Sequence, residues 1–162
     1  MDSTMDTLGV DTERAVAVLN SFLRGEQSAV ETYRQALEKV KDAPYRTPLE
    51  ECLRSHAERV RALTERIMRL GGKPSQGSGP WGAFAKLVEG TAKVFGHKSA
   101  IAALEEGEDH GLRDYRQDID RLDAETRSWF DGNILSEQER THALMSSLKH
   151  SLHLAALTPP SG

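Results

Sequence analysis

Cysteine is almost absent from this chain: Cys52 is the single one in 162 residues. That excludes an intramolecular disulfide framework and any Cys-x-x-Cys redox or metal site. Long apolar runs are missing too, since none approaches the roughly 18 residues that a membrane span needs. The opening segment, Met1 to Asp11, is acidic and lacks an apolar stretch, so no secretory leader is expected. No G-x-S-x-G, phosphate-binding loop or G-x-G-x-x-G occurs, which leaves hydrolases, nucleotide-hydrolysing enzymes and dinucleotide enzymes without support. Basic charge is not in excess: 21 Lys and Arg face 25 Asp and Glu, for a net −4 and a pI near 5.9. A nucleic-acid-binding face is therefore not expected. These absences leave one cytoplasmic globular domain, with 38% hydrophobic residues to build a modest core.

What is present is helical. Apolar residues recur every three or four positions, no stretch alternates with period two, and Ala, Leu, Glu, Arg and Gln dominate. The fold class is all-α. Residues 1–10 are polar and without periodicity and read as a flexible arm, as does the tail 158–162; the bundle occupies 11–157. A first helix is predicted from Thr12 to Lys41. A second opens at Thr47-Pro48-Leu49-Glu50, an N-cap, an N1 proline and a capping-box glutamate, and closes at Gly71-Gly72. A third runs from His97 to Leu122 and a fourth from Ala124 to Ala156. The connection between the second and third carries a short amphipathic piece with Trp81, Phe84, Leu87, Val88 and Phe95. Short, long and short connections give an up-down four-helix bundle with one crossover, the ferritin-like arrangement.

The two halves, about 12–72 and 97–156, repeat a motif. Gly25-Glu26…Tyr33-Arg34 and Gly107-Glu108…Tyr115-Arg116 both read G-E-x6-Y-R, with Glu and Tyr on one helical face. Each carboxylate interrupts an apolar stripe: Leu19, Phe22, Ala29 and Leu37 surround Glu26, while Ile101, Leu104, Leu112 and Ile119 surround Glu108. His56 does the same among Leu49, Leu53, Val60 and Leu63, and Glu139 and His142 fall among Leu135, Met145 and Leu148. Burying such groups unpaired costs several kcal/mol. A shared metal is one compensation, and the mixed oxygen and nitrogen donors suit iron, manganese or zinc. The other is a metal-free network in which each carboxylate is bonded to a tyrosine hydroxyl or a histidine on a neighbouring helix. Counting residues to the turns at Asp42 and at Asp123-Ala124 leaves the groups of each hairpin level to about 3 Å. A competing turn at Asp131-Gly132-Asn133 would make Glu139 a surface capping residue of Ser136-x-x-Glu139; with the earlier turn, those residues become a bulge inside the fourth helix. The Arg59, Arg61, Arg66 and Arg69 series reads as a solvated face.

The E-x6-Y helices, the inward His56 and the Glu139-x-x-His142 pair resemble the ferritin-like superfamily of carboxylate-bridged di-iron bundles, which includes bacterioferritin and rubrerythrin. The G-E-x6-Y motifs and Arg69-Leu70-Gly71-Gly72-Lys73-Pro74 are similar to a bacterial ferritin-like family classed as a domain of unknown function, over residues 12–156. The resemblance implies metal ligands at Glu26, His56, Glu108, Glu139 and His142, with Tyr33 and Tyr115 donating hydrogen bonds beside them. It implies iron as cofactor (zinc or manganese as alternatives), oxidation of ferrous iron or consumption of peroxide, and a homo-oligomer. Leu53 departs from the pattern: a bridging glutamate is expected three residues before His56. That absence favours the second reading, a non-enzymatic helical stress or interaction protein with a metal-free polar core.

Overall fold

A computed structural model describes residues 3–78 and 96–158 and contains, among them, helices and turns but no strand. The helices are α1 (Ser3–Lys39), α2 (Ala43–Arg69), α3 (His97–Asp118), α4 (Ala124–Phe130) and α5 (Ser136–Leu157). A 3₁₀ turn, Ile119–Arg121, ends α3, and a π turn, Asp131–Leu135, joins α4 and α5 into one rod. Among the described residues the rods are therefore four. None of the described helices is long and apolar enough to cross a membrane. The amphipathic piece from Trp81 to Phe95 lies outside the described residues.

Two boundaries differ from expectation. Helix α1 begins at Ser3 rather than Thr12 and so takes in most of the segment expected to be an arm. Helix α2 begins at Ala43, one turn before Thr47, because Pro44 in its first turn already carries the helical φ. Thr47 is then inside the helix, and Glu50 pairs with Arg46 at 2.8 Å instead of reaching back to cap. The other end closes where the sequence places it. Gly71 adopts φ +78, the Gly71 amide donates to Met68 O and the Gly72 amide donates to Ile67 O, the paired bonds of a left-handed helix cap.

Side-chain pairs fix the directions of the rods. Tyr33 meets Glu108 and Tyr115 meets Glu26, so α1 and α3 run antiparallel. Glu51 meets Arg140 and Ser55 meets Glu137, so α2 and α5 do too. The apolar core is in two blocks. Leu19, Leu23, Leu63, Ile67, Ile119 and Phe130 fill one end, and Leu37, Val40, Leu49, Ile101, Met145 and Leu152 fill the other. At about 1.5–3 kcal/mol for each fully buried side chain of this size, these blocks supply the drive for association. Between them lies a polar layer.

The π turn decides which residues of the fourth rod enter that layer. Thr126, Phe130, Ile134 and Gln138 are all buried and each is four residues from the next. In an unbroken α-helix such spacing would rotate the last about 120° from the first. The π turn takes up one extra residue, about 100°, and keeps all four facing inward. Asp131-Gly132-Asn133 is thus a bulge within the rod, and the turn between α3 and α4 falls at Leu122–Asp123, where Asp123 accepts the Thr126 amide as N-cap.

Candidate functional site

His56 sits at the centre of the polar layer because it continues the inward line of α2, Leu49, Cys52, His56, Arg59, Leu63 and Ile67. Its Nδ1 lies 2.5 Å from Glu26 Oε2 and its Nε2 lies 2.8 Å from Glu108 Oε1. One imidazole therefore bridges the two carboxylates of the repeated motif. Both are buried to within 2% of full burial.

The tyrosines are exchanged between the halves. Tyr33 of the first half donates to Glu108 Oε1 at 2.7 Å, and Tyr115 of the second donates to Glu26 Oε1. The antiparallel packing of α1 and α3 produces this cross, since a seven-residue step along one helix is matched by a seven-residue step back along the other. Phe22 and Phe130 hold the Tyr115 ring edge-on, with centroids 4.7 and 5.1 Å away.

The fourth partner is Arg59, which the sequence reading assigned to a solvated face. It is 1% exposed. Its Nη1 donates to Glu26 Oε1 at 3.0 Å and to Gln138 Oε1, and its Nη2 donates to Thr141 Oγ1 at 3.2 Å. Its Nε reaches Ser55 O at 3.4 Å. Thr141 in turn donates to Glu108 Oε2 at 2.8 Å, and the Gln138 amide donates to Glu108 O and to Glu108 Oε2, each at 2.9 Å. Arg59, Gln138 and Thr141 are the functional residues that sequence reasoning missed. The signal was available: Arg59 lies three residues after His56 and four before Leu63, in register with the inward line.

Charge follows from contact. Burial opposes ionisation of Glu26, but the Arg59 and His56 charges outweigh it and hold the carboxyl below its usual range. Glu108 is likewise opposed by burial and yet drawn down to about 2 by His56, Arg59 and Tyr33. Burial and the Arg59 charge press the His56 pKa down, while Glu108 and Glu26 press it up, and the net displacement is upward. That direction favours the imidazolium, in which Nδ1 donates to Glu26 and Nε2 to Glu108, with Arg59 Nη2 3.0 Å from Nδ1. Burial, then the neighbouring carboxylates, raises both tyrosines well above 10, so they remain donors. Burial and Glu108 push the Cys52 thiol up to about 12, which leaves it neutral and unreactive. Two carboxylates, one imidazolium and one guanidinium sum to zero.

Glu26, His56 and Glu108 thus converge as expected. Glu139 and His142 do not join them, which corrects the expected five-residue set. Glu139 is half exposed and pairs with Arg116 at 3.2 Å, while His142 faces Asp109 at 3.4 Å on the outer side of α3. The reason is register: Met145, Leu148 and Leu152, stepped back by helical turns, lead to Thr141 and Gln138, each one residue before the expected ligand. Leu53 packs on the apolar block next to the site.

A bridged metal pair does not fit these residues. Every carboxylate oxygen of the site already accepts from a protein donor, and both His56 nitrogens are taken up by carboxylate oxygens at 2.5 and 2.8 Å. A guanidinium, not a lone pair, faces the middle. Among the described residues no group of three or more His, Cys, Asp or Glu has metal-holding geometry.

A family model described as "Domain of unknown function (DUF2383)" matches residues 14–120, and the chain belongs to that family. The matched span holds Glu26, Tyr33, His56, Arg59, Glu108 and Tyr115, and ends before Gln138 and Thr141. No curated protein and no solved structure matches the chain.

Proposed function

We propose that this chain is a non-enzymatic helical interaction protein, built on a ferritin-like bundle whose polar core is complete without metal. One observation carries the reading: Arg59 supplies inside the bundle the positive charge that an inward pair of glutamates requires. With Arg59 and protonated His56, the layer is neutral and each carboxylate oxygen accepts from a protein donor, which is the condition under which buried ions are tolerated. The ferritin-like crossover is supported by the two core blocks, since the end of α2 (Ile67) packs in one and the start of α3 (Ala100, Ile101) in the other.

The test uses untagged full-length protein. Elemental analysis should find far less than one equivalent of iron, zinc or manganese per chain. Thermal melts should coincide within about a degree with chelator, ferrous iron or zinc. A site-bound metal at 100 times its Kd would instead add about 2.7 kcal/mol to stability. One tightly held equivalent of iron, lost together with stability on chelation, would overturn the reading in favour of the iron-oxidising or peroxide-consuming one.

A further inference from the structure

A cleft between α1 and α3 opens onto the polar layer. It encloses about 90 Å³, and its floor is formed by Glu26, His56, Glu108, Tyr33 and Tyr115. Small residues keep it open. A side chain at Gly25 would meet nothing within 4 Å, whereas one at Gly111 would crowd Gln138 Nε2 at 3.2 Å. We propose that this cleft binds a small organic cation, a primary ammonium carried on a short apolar or aromatic body.

The hydrogen-bonding inventory of the floor selects that chemistry. Its donors are spent: the Tyr33 hydroxyl on Glu108, the Tyr115 hydroxyl on Glu26, both His56 nitrogens on carboxylates, and both hydrogens of the Gln138 amide on Glu108. What remains is lone pairs on the two phenol oxygens and one on Glu26 Oε2, the one carboxylate oxygen of the floor that accepts a single donor. Such a floor has nothing to offer an anion and offers acceptors to an N–H donor. The mouth repeats the bias, because Asp114 and Asp118, both part-exposed, line it. His110 pairs with Asp114 and Arg121 donates to Asp118, each at a long 3.4 Å and each from the exposed side. Phe22, Ala29 and Leu104 stand in the walls beside Ser21, Ser28 and Thr32, with the tyrosine rings below, which suits an apolar body and adds aromatic faces for a cation. At 10–15 Å³ per water-sized position the space holds roughly six to nine such positions, so the ligand has about six to nine non-hydrogen atoms.

The proposal rests on the metal-free reading, since it takes the floor as the ion quartet presents it. Its test compares three molecules of one shape and three charges: benzylamine, benzyl alcohol and benzoate, titrated into the full-length protein by calorimetry and amide NMR at pH 7. Benzylammonium should bind saturably, with shifts clustered at residues 22–33 and 104–118, and at least about tenfold more tightly than benzyl alcohol; benzoate should not bind. Gly25→Leu, which fills the open space, should abolish binding and leave the melting temperature equal or higher. Asp118→Asn, a mild change at the mouth, should weaken benzylamine several-fold and leave benzyl alcohol unchanged, so the outcome does not depend on one variant folding. Equal binding of amine and alcohol, unchanged binding in either variant, or no saturable binding overturns the proposal. Stoichiometric metal in the starting protein overturns the reading beneath it instead, and elemental analysis separates the two failures.

Discussion

Arg59→Met asks directly whether a protein side chain is the cation of this core. Methionine keeps an unbranched chain of comparable length but removes the positive charge and the donors. The charge sum of the layer falls from zero to −1. Glu26 Oε1 retains only Tyr115, and Gln138 Oε1 loses its donor. Removing one partner of a buried ion pair costs about 3–5 kcal/mol, because the remaining charge stays desolvated. For a chain of this length each kcal/mol shifts the melting temperature by about 2–4 °C, so a drop of about 6–20 °C is expected by calorimetry at pH 7. Arg59→Lys keeps the charge but not the fork to Glu26, Gln138 and Thr141, and should fall between, at about 1–3 kcal/mol.

The decisive arm is rescue. Glu26→Gln alone strands the Arg59 charge and should destabilise; added to Arg59→Met it removes the stranded carboxylate and returns the sum to zero. The double variant should therefore be more stable than Arg59→Met by about 1.5 kcal/mol or more in urea unfolding, a coupling typical of residues in direct contact. If Arg59→Met melts within a degree or two of wild type, or if the two losses simply add, the quartet is not what balances this core.

Stability should peak on the acid side of neutral. Glu108, drawn from an ordinary 4.5 to about 2, contributes about 3 kcal/mol that is fully present above pH 4.5 and lost as pH falls toward 2. His56, displaced upward from 6.5, contributes stability that is complete below pH 6.5 and lost as pH rises through its folded value. Urea midpoints from pH 3 to 9 should thus be highest at about pH 4.5–6.5, and in His56→Gln the alkaline decline should flatten. Register can be checked by paired substitutions: Thr141→Val should cost about 1–3 kcal/mol by unpairing Glu108 Oε2 and Arg59, while Glu139→Ala and His142→Ala on the outer side should each cost under about 1 kcal/mol. Deleting Gly132 removes the extra residue and leaves Phe130 and Gln138 seven positions apart, about 700° of regular helix and so still on the inner face; the rod should straighten with a loss under about 1 kcal/mol in the same unfolding assay, whereas a loss above about 3 kcal/mol would refute the bulge account.

Much of this was legible because helical phase is written in the residues that interrupt it. Glu26 and Glu108, each alone in an apolar stripe and each followed by a tyrosine seven residues on, announced two facing helices and a polar layer. His56 announced the third wall, and Gly71-Gly72 ended α2 where they stand. The fourth wall was misread for a physical reason. Its inward residues next to the site, Gln138 and Thr141, are neutral and polar, so neither hydropathy nor charge marks them, and Glu139 and His142 one position later offered a false signal. The π turn compounds this, since no residue pattern counts its extra residue. Arg59 was lost to a different habit: arginines spaced along a helix usually line its wet face, and only the matched carboxylate on another helix makes an inward one tolerable.

Neutrality ties the departures from the expected ligand set together. A carboxylate at position 53 would add a negative charge on α2 one turn from His56, and with Arg59 and His56 as the cations the sum would be −1. Leucine there extends the apolar block instead. Inward placement of Glu139 would add yet another charge; it stands outside, paired with Arg116. A guanidinium differs from a bound metal in one respect that matters for the whole bundle: it neither dissociates nor loses its proton at any pH the fold survives. The Arg59 share of the charge balance is therefore fixed by covalent structure and independent of metal supply, while the His56 share is held only below its folded pKa.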